Sequence, residues 1–160
     1  KIIHDEFLTE MTLEDLLEDI IKSFNESTKK KILLNTDKDI NKINIKRTPE
    51  LVYGLRNFIG NAVKFSAQKV IIFVISDNIN VFINIDDDGP GFPEDIRKTL
   101  GDPYIKSRST KNKSGLGLGT FLGKTLLERQ SAIISFENNS TLKGARVKIK
   151  WRINDLNISD

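Results

Sequence analysis

The 160-residue sequence contains no cysteine, which removes disulfide frameworks, thiolate nucleophiles and cysteine-based metal sites together. Long apolar runs are missing too. The longest, residues 70–75, falls far short of the ~20 residues needed to cross a bilayer. The charged N-terminus is followed by no apolar stretch of the secretory type, so no signal peptide is expected. Neither sign of charge prevails: 25 basic and 22 acidic residues leave a net charge of +3. Acids gather early (Asp5, Glu6, Glu10, Glu14, Asp15, Glu18, Asp19), bases later, at residues 29–31 and at Lys106, Arg108, Lys111 and Lys113. There is no dense basic stripe with donors at helical spacing, so no nucleic-acid partner is expected. What is present is 38% hydrophobic residues in a chain of one-domain length, enough for a core that buries roughly two-thirds of the unfolded surface.

Hydrophobic spacing divides the chain. Leu13, Leu16, Leu17, Ile20, Ile21 and Phe24 predict a helix over 12–27, with Thr12 as its cap. Short strands are expected at 32–34 and 43–45. Thr48 followed by Pro49 then opens a second helix running to about 65, with a stripe of Leu51, Leu55, Phe58 and Ala62. A hairpin follows, 70–75 and 79–85, its second strand alternating Val81, Ile83 and Ile85 with Asn80, Phe82 and Asn84. A short helix over 94–100, a loop over 101–114, a helix over 118–129 and strands at 132–136 and 145–153 complete the reading. The order predicts helices on one face of a mixed sheet, an α/β two-layer sandwich. Residues 1–11 read as the tail of a preceding helix or linker, 12–152 as the domain, and 153–160 as a C-terminal tail.

Three groups of residues suggest chemistry. Seven of the ten glycines fall between Gly89 and Gly123, including the run Gly115-Leu116-Gly117-Leu118-Gly119. Alternate glycines let backbone N–H groups approach phosphate oxygens at the start of a helix; a flexible loop closed by a glycine turn is the plainer reading. The run is no P-loop, since no Gly-Lys-Ser/Thr follows, and no dinucleotide fingerprint, since a polar basic loop precedes it. Asp87-Asp88-Gly89-Pro90-Gly91 places a carboxylate at a strand end, where it can accept a hydrogen bond from an exocyclic amine such as adenine N6. Pro90 and the missing downstream acids argue against a calcium loop, and a surface turn is the alternative. Asn57, Asn61 and Lys64 share one side of the second helix at spacings of four and three. Asparagine is disfavoured inside helices. Its carbonyl suits Mg²⁺, and Lys64 can reach a phosphate as a point charge; a solvated face is the plain alternative. Together the three groups can converge on one Mg·ATP.

In this order the motifs resemble the ATP-binding catalytic domain of bacterial sensor histidine kinases, in the superfamily that also holds gyrase and MutL ATPases. Residues 56–66, Arg-Asn-Phe-Ile-Gly-Asn-Ala-Val-Lys-Phe-Ser, resemble the family's N box. Residues 87–92 resemble its first glycine box and 115–119 its second. Lys124 to Arg129, with Asp102-Pro103-Tyr104, are similar to the redox-responsive kinases of the RegB type. The resemblance implies a Bergerat-type sandwich with an ATP lid, Asn61 on Mg²⁺, and Asp87 on adenine. It also implies Gly89, Gly91, Gly115, Leu116, Gly117, Leu118 and Gly119 around the nucleotide, with Tyr104 in the lid. Thr120 and Gly123 depart from the family's pattern, and both bear on the junction of lid and helix.

The resemblance also bears on the reaction. Hydrolases of the superfamily carry a glutamate four residues before the metal asparagine; here that position is Asn57, an amide that cannot act as a base. Poor hydrolysis is therefore expected, with Asn57, Asn61 and Lys64 serving phosphoryl transfer to an external histidine. His4 lacks the downstream proline of the family's acceptor box and lies too close to the N box, so the acceptor is expected on a separate dimerisation domain. The implied setting is the cytoplasmic part of a bacterial inner-membrane sensor, homodimeric at full length and monomeric as an isolated domain, acting indirectly on a response regulator. A hydrolysing superfamily member and a non-catalytic nucleotide- or partner-binding module are the alternatives.

Overall fold

The first apolar stripe folds as α1, Leu13–Asn25, burying Leu13, Leu16, Leu17, Ile20 and Ile21. Thr12 caps it, its hydroxyl accepting from the Asp15 N–H at 3.1 Å, which satisfies one of the donors a helix start leaves open. The second stripe folds as α2, Pro49–Phe65, capped in the same way by Thr48, which accepts from the Leu51 N–H. Its buried side carries Leu51, Leu55, Phe58, Ile59 and Ala62. The computed structural model describes residues 10–37, 43–93 and 116–156. The helix expected over 94–100, the loop over 101–114 with Tyr104 and its four bases, Gly115 and His4 lie outside the described residues.

Five strands form one sheet: β2 (Lys31–Thr36), β4 (Lys69–Ser76), β5 (Asn80–Asp87), β6 (Ile133–Asn138) and β7 (Ala145–Arg152), in the order β2-β4-β5-β7-β6. The β2–β4 pair is parallel and the other three are antiparallel, so the sheet is mixed. Alternation along β5 sends Val81, Ile83 and Ile85 to the helices, where they meet Ile72 and Val74 of β4 and Ile149 and Trp151 of β7. Full burial of each such side chain contributes on the order of 2 kcal/mol. The long helices among the described residues cover this face. On the other, Leu33, Ile75 and Ile133 remain exposed. The architecture is the expected sandwich.

Several features differ from the sequence reading. A small antiparallel pair, β1 (Glu10–Thr12) with β3 (Asn44–Lys46), lies apart from the main sheet. The second of these is the strand expected at 43–45, shifted by one residue; β1 and the pairing were not expected, since a three-residue strand is too short to show a period. At the other end, α4 (Ile153–Leu156) turns Leu156 back into the core, so packing runs past residue 152. The third long helix, α3 (Leu116–Glu128), starts two residues earlier than expected, and so takes Gly117 and Gly119 into its first turn.

Gly123 also finds an explanation here. A Cβ at this position would lie 2.9 Å from the Phe58 ring and 3.2 Å from the Asn57 Cβ. On the facing helix, a Cβ at Gly54 would lie 2.5 Å from a Leu127 methyl. The two glycines let α2 and α3 approach closely, which offsets the ~1 kcal/mol that a mid-helix glycine costs relative to alanine. The packing of α2 on α3 is tight at both glycines.

Candidate functional site

Strand β5 ends in three consecutive aspartates with three different environments. Asp86 is fully buried on the sheet's far side, held by a bidentate pair with Arg146, Nε and Nη2 each at 2.7 Å. Glu137 approaches the same guanidinium at 3.6 Å. Asp88 turns outward and its Oδ1 accepts from the N–H groups of Ala67, Gln68 and Lys69 at 2.8, 3.0 and 3.1 Å. Burial would raise the Asp88 carboxyl, but these backbone donors outweigh it and hold the group below the ordinary carboxylate range.

Asp87 lies between them, on the helix side of the sheet, and only 5% of it is exposed. Its Oδ1 accepts from the N–H of Gly89 at 2.9 Å and of Ala145 at 3.1 Å. Burial pushes this carboxyl up, partly countered by those two donors and reinforced by the charges of Asp88 and Asp86. The glycines beside it answer to space and conformation. A Cβ at Gly89 would lie 2.2 Å from the Phe65 carbonyl oxygen, and Gly91 has φ +83°, a left-handed value that side chains resist. Asn138 ties the turn down, accepting from the Phe92 N–H and donating to the Phe92 carbonyl.

Between β5 and α2 opens a cavity of about 410 Å³, within the range of small-ligand sites. Its walls include Phe58, Asn61, Asp87, Thr120, Phe136 and Val147. Phe136 packs edge-on against Phe92, with centroids 6.0 Å apart, and tilted against Phe58 at 6.1 Å. The interior is therefore largely apolar and aromatic with three polar residues, Asp87 on the sheet wall, Asn61 on α2 and Thr120 on α3, and it suits a flat heterocycle with an amine donor. The Asn61 Nδ2 is buried and has no hydrogen-bond partner. A buried polar group left unmatched costs free energy, and the residue that carries this one lines the cavity.

The predicted residues divide accordingly. Asn61, Asp87 and Gly91 line the cavity, and Gly89 is bonded to Asp87. Asn57 sits one turn before Asn61 and donates to the Tyr53 carbonyl at 2.9 Å, outside the cavity lining. Lys64 is exposed beyond it, its ammonium 5.3 Å from the Phe65 ring centre. Leu116, Gly117, Leu118 and Gly119 form the first turn of α3. Four residues at the site escaped the sequence reading. Thr120, buried in the cavity wall, had been singled out only as a departure from a pattern. Asn138, Asn139 and Gly144 belong to a connection that reads as an ordinary turn between two strands.

Among the described residues no group of three or more His, Cys, Asp or Glu is placed to hold a metal. A cation here would take the Asn61 amide oxygen together with ligand oxygens and water, a set that suits Mg²⁺ and no soft metal.

The comparisons agree with this geometry. Residues 46–155 match the histidine kinase-, DNA gyrase B- and HSP90-like ATPase family. The sensor histidine kinase RegB of Cereibacter sphaeroides is 42% identical over 101 residues, which cover 59% of this chain and 22% of that protein. The ATP binding domain of PrrB from Mycobacterium tuberculosis superposes with a TM-score of 0.68 at 25% identity, covering 91% of this chain and 97% of that one. Histidine kinase ThkA, solved in complex with response regulator protein TrrA, gives 0.72 at 20% identity over 92% of this chain and 42% of the other. The chain spans about a fifth of the length of the RegB proteins it matches. It belongs to the histidine kinase-, DNA gyrase B- and HSP90-like ATPase family, and within it is similar to the ATP-binding parts of bacterial sensor histidine kinases such as RegB.

Proposed function

We propose that the cavity binds Mg·ATP and that the chain donates the γ-phosphoryl group to a histidine on a separate dimerisation domain. In this reading Asp87 accepts from the adenine amino group, and the aromatic and aliphatic walls enclose the ring. Asn61 ligates Mg²⁺ through its amide oxygen. The first turn of α3, with Gly115 before it, offers N–H groups to the phosphates, and Lys64 adds positive charge at the rim. Bound magnesium would neutralise phosphate charge while ADP leaves the γ-phosphorus and a histidine nitrogen attaches to it. The chain's own contribution is to hold the nucleotide and keep water from competing.

One observation carries the reading: the buried carboxylate of Asp87 and the half-buried amide of Asn61, whose nitrogen is unmatched, line the same largely apolar cavity from opposite walls. A transferase rather than a hydrolase is favoured by Asn57, whose amide is no base and is committed to the Tyr53 carbonyl. The wider setting follows the family: a homodimeric sensor in the bacterial inner membrane with this domain in the cytoplasm, passing phosphate onward to a response regulator. Among the described residues no helix is long and apolar enough to cross a membrane.

Labelled ATP mixed with this chain and a histidine-bearing dimerisation domain tests the proposal. Acid-labile phosphohistidine that disappears with Asn61→Ala is expected. Rapid ATP hydrolysis by the chain alone, with no label on histidine, would overturn it.

A further inference from the structure

The connection between β6 and β7 reaches the site without lining it. Asn139, 4% exposed, follows the last residue of β6. Its Nδ2 donates to the carbonyls of Ala145 at 2.8 Å and Asp87 at 3.1 Å, and its Oδ1 accepts from the Leu142 N–H at 2.6 Å. Its own N–H closes the turn on the Gly144 carbonyl at 2.8 Å. Since β7 lies between β6 and β5 in the sheet, the amide spans the end of one strand to grip the backbone of the next but one. Ala145, held by this amide, donates its N–H to Asp87 Oδ1. Gly144 allows the approach: a Cβ there would lie 2.2 Å from the Asp87 carbonyl oxygen and 2.5 Å from Oδ1.

Asp87 is thus fixed twice from one turn, through its carbonyl by Asn139 and through its carboxylate by Ala145. Both backbone donors on the carboxylate, Gly89 and Ala145, fall on Oδ1. With that oxygen doubly occupied the group cannot rotate freely, and Oδ2 is the acceptor left for a ligand. Adenine offers a donor at its 6-position; hypoxanthine and guanine offer a 6-oxo acceptor, which an immobile carboxylate repels.

We propose that Asn139 is a positioning residue that sets base selection, acting through the 139–144 turn to hold Asp87 as a fixed acceptor. The proposal rests on the reading that Asp87 receives the base. If the turn is loosened, the carboxyl can swing aside or take up a proton and donate to a 6-oxo group. Discrimination against oxo-purines then falls, while the rest of the nucleotide is bound as before.

Calorimetric titration of the 160-residue chain with Mg·ATP and Mg·ITP, whose base carries oxygen where adenine carries the amine, tests this. Asn139→Ala is expected to weaken ATP about tenfold and to leave ITP unchanged or slightly tighter. Should that variant lose its cooperative melting transition, Asn139→Ser, which keeps a hydroxyl near the Leu142 N–H, takes its place. Equal loss for both nucleotides would mean that the residue only supports the fold and would overturn the proposal, as would no change in either. Asp87→Asn serves as the control. If it keeps the wild-type preference for ATP over ITP, the assignment of the base to Asp87 is what fails, whatever Asn139 does.

Discussion

The two walls of the cavity are built on opposite terms. At the sheet wall the carboxylates are already bonded: Asp87 in the wall to two backbone N–H groups, Asp86 behind it on the far side of the sheet to Arg146, and Asp88 beside it to three N–H groups. On the helix wall Asn61 keeps a buried N–H pair with no partner. One side is set before a ligand arrives; in the proposed reading the other is completed by it, through the Asn61 amide oxygen. A recognition point gains from being held still, because its ordering cost is met during folding. A metal point must stay open, because its remaining ligands come with the nucleotide.

The firmest test of this contrast strikes the prebuilt wall. Replacing Arg146 with methionine leaves Asp86 as an unpaired charge at zero exposure, and a loss of about 3–5 kcal/mol in urea unfolding is expected. The double variant Asp86→Leu with Arg146→Met should recover most of that loss. If the single variant is nearly neutral, the sheet wall is not held by this pair. Asp87→Asn asks a subtler question. Burial raises this carboxyl, so its contribution favours the fold at low pH and is lost as pH rises through the raised value. The asparagine variant should therefore melt higher than wild type at neutral pH when ligand-free, with the gap closing in acid. It should bind ATP roughly 10–100-fold more weakly, having lost a charged acceptor. A lower melting temperature at neutral pH would show that the ionised group supports the fold instead of straining it.

Asn61→Ala is the counterpart on the open wall. No hydrogen bond is recorded for its buried amide nitrogen, and alanine is the better helix former. Ligand-free stability should change by less than about 1 kcal/mol, while the Mg²⁺-dependent part of ATP affinity falls about tenfold. Loss of stability in the absence of nucleotide would erase the contrast between the walls.

Much of this was legible in the sequence because it depends on local pattern. The Thr48-Pro49 start of α2 and the alternation along β5 are written within a few residues, and so are the glycine turns. That Asn61 faces the cavity and Asn57 does not could not be read there. Both lie on one side of the helix, and only the placement of α3 and the sheet separates them. Gly123 stands out only as a departure from a pattern because its benefit lies on another helix, at Phe58. Asn139 was invisible for the same reason: its carbonyl partners include Asp87, 52 positions away. Residues whose partners are distant in the chain carry no periodic signal, whatever they do in the fold.

The smallest effects are expected where α2 hands the chain to β4, just outside the cavity. Here the helix end leaves carbonyls open and the following turn leaves N–H groups open, and the two needs are met by opposite charges. The Lys30 ammonium donates to the carbonyls of Val63 and Ser66, each at 2.8 Å, while Asp88 collects the N–H groups of residues 67–69. Asp88→Ala should cost about 1–2 kcal/mol, since three donors lose a charged acceptor but can partly turn to water. Because its carboxyl is held low, that contribution is present above the ordinary carboxylate range and disappears as pH falls through the lowered value, so wild type and variant should converge in strong acid. Lys30→Met should cost only about 0.5–1 kcal/mol, the usual worth of a cation at a helix C-terminus. Neither change should alter the preference for ATP over ITP. A shift in that ratio would mean that the end of α2 moves Asp87 through Gly89, whose backbone leaves no room for a Cβ beside the Phe65 carbonyl.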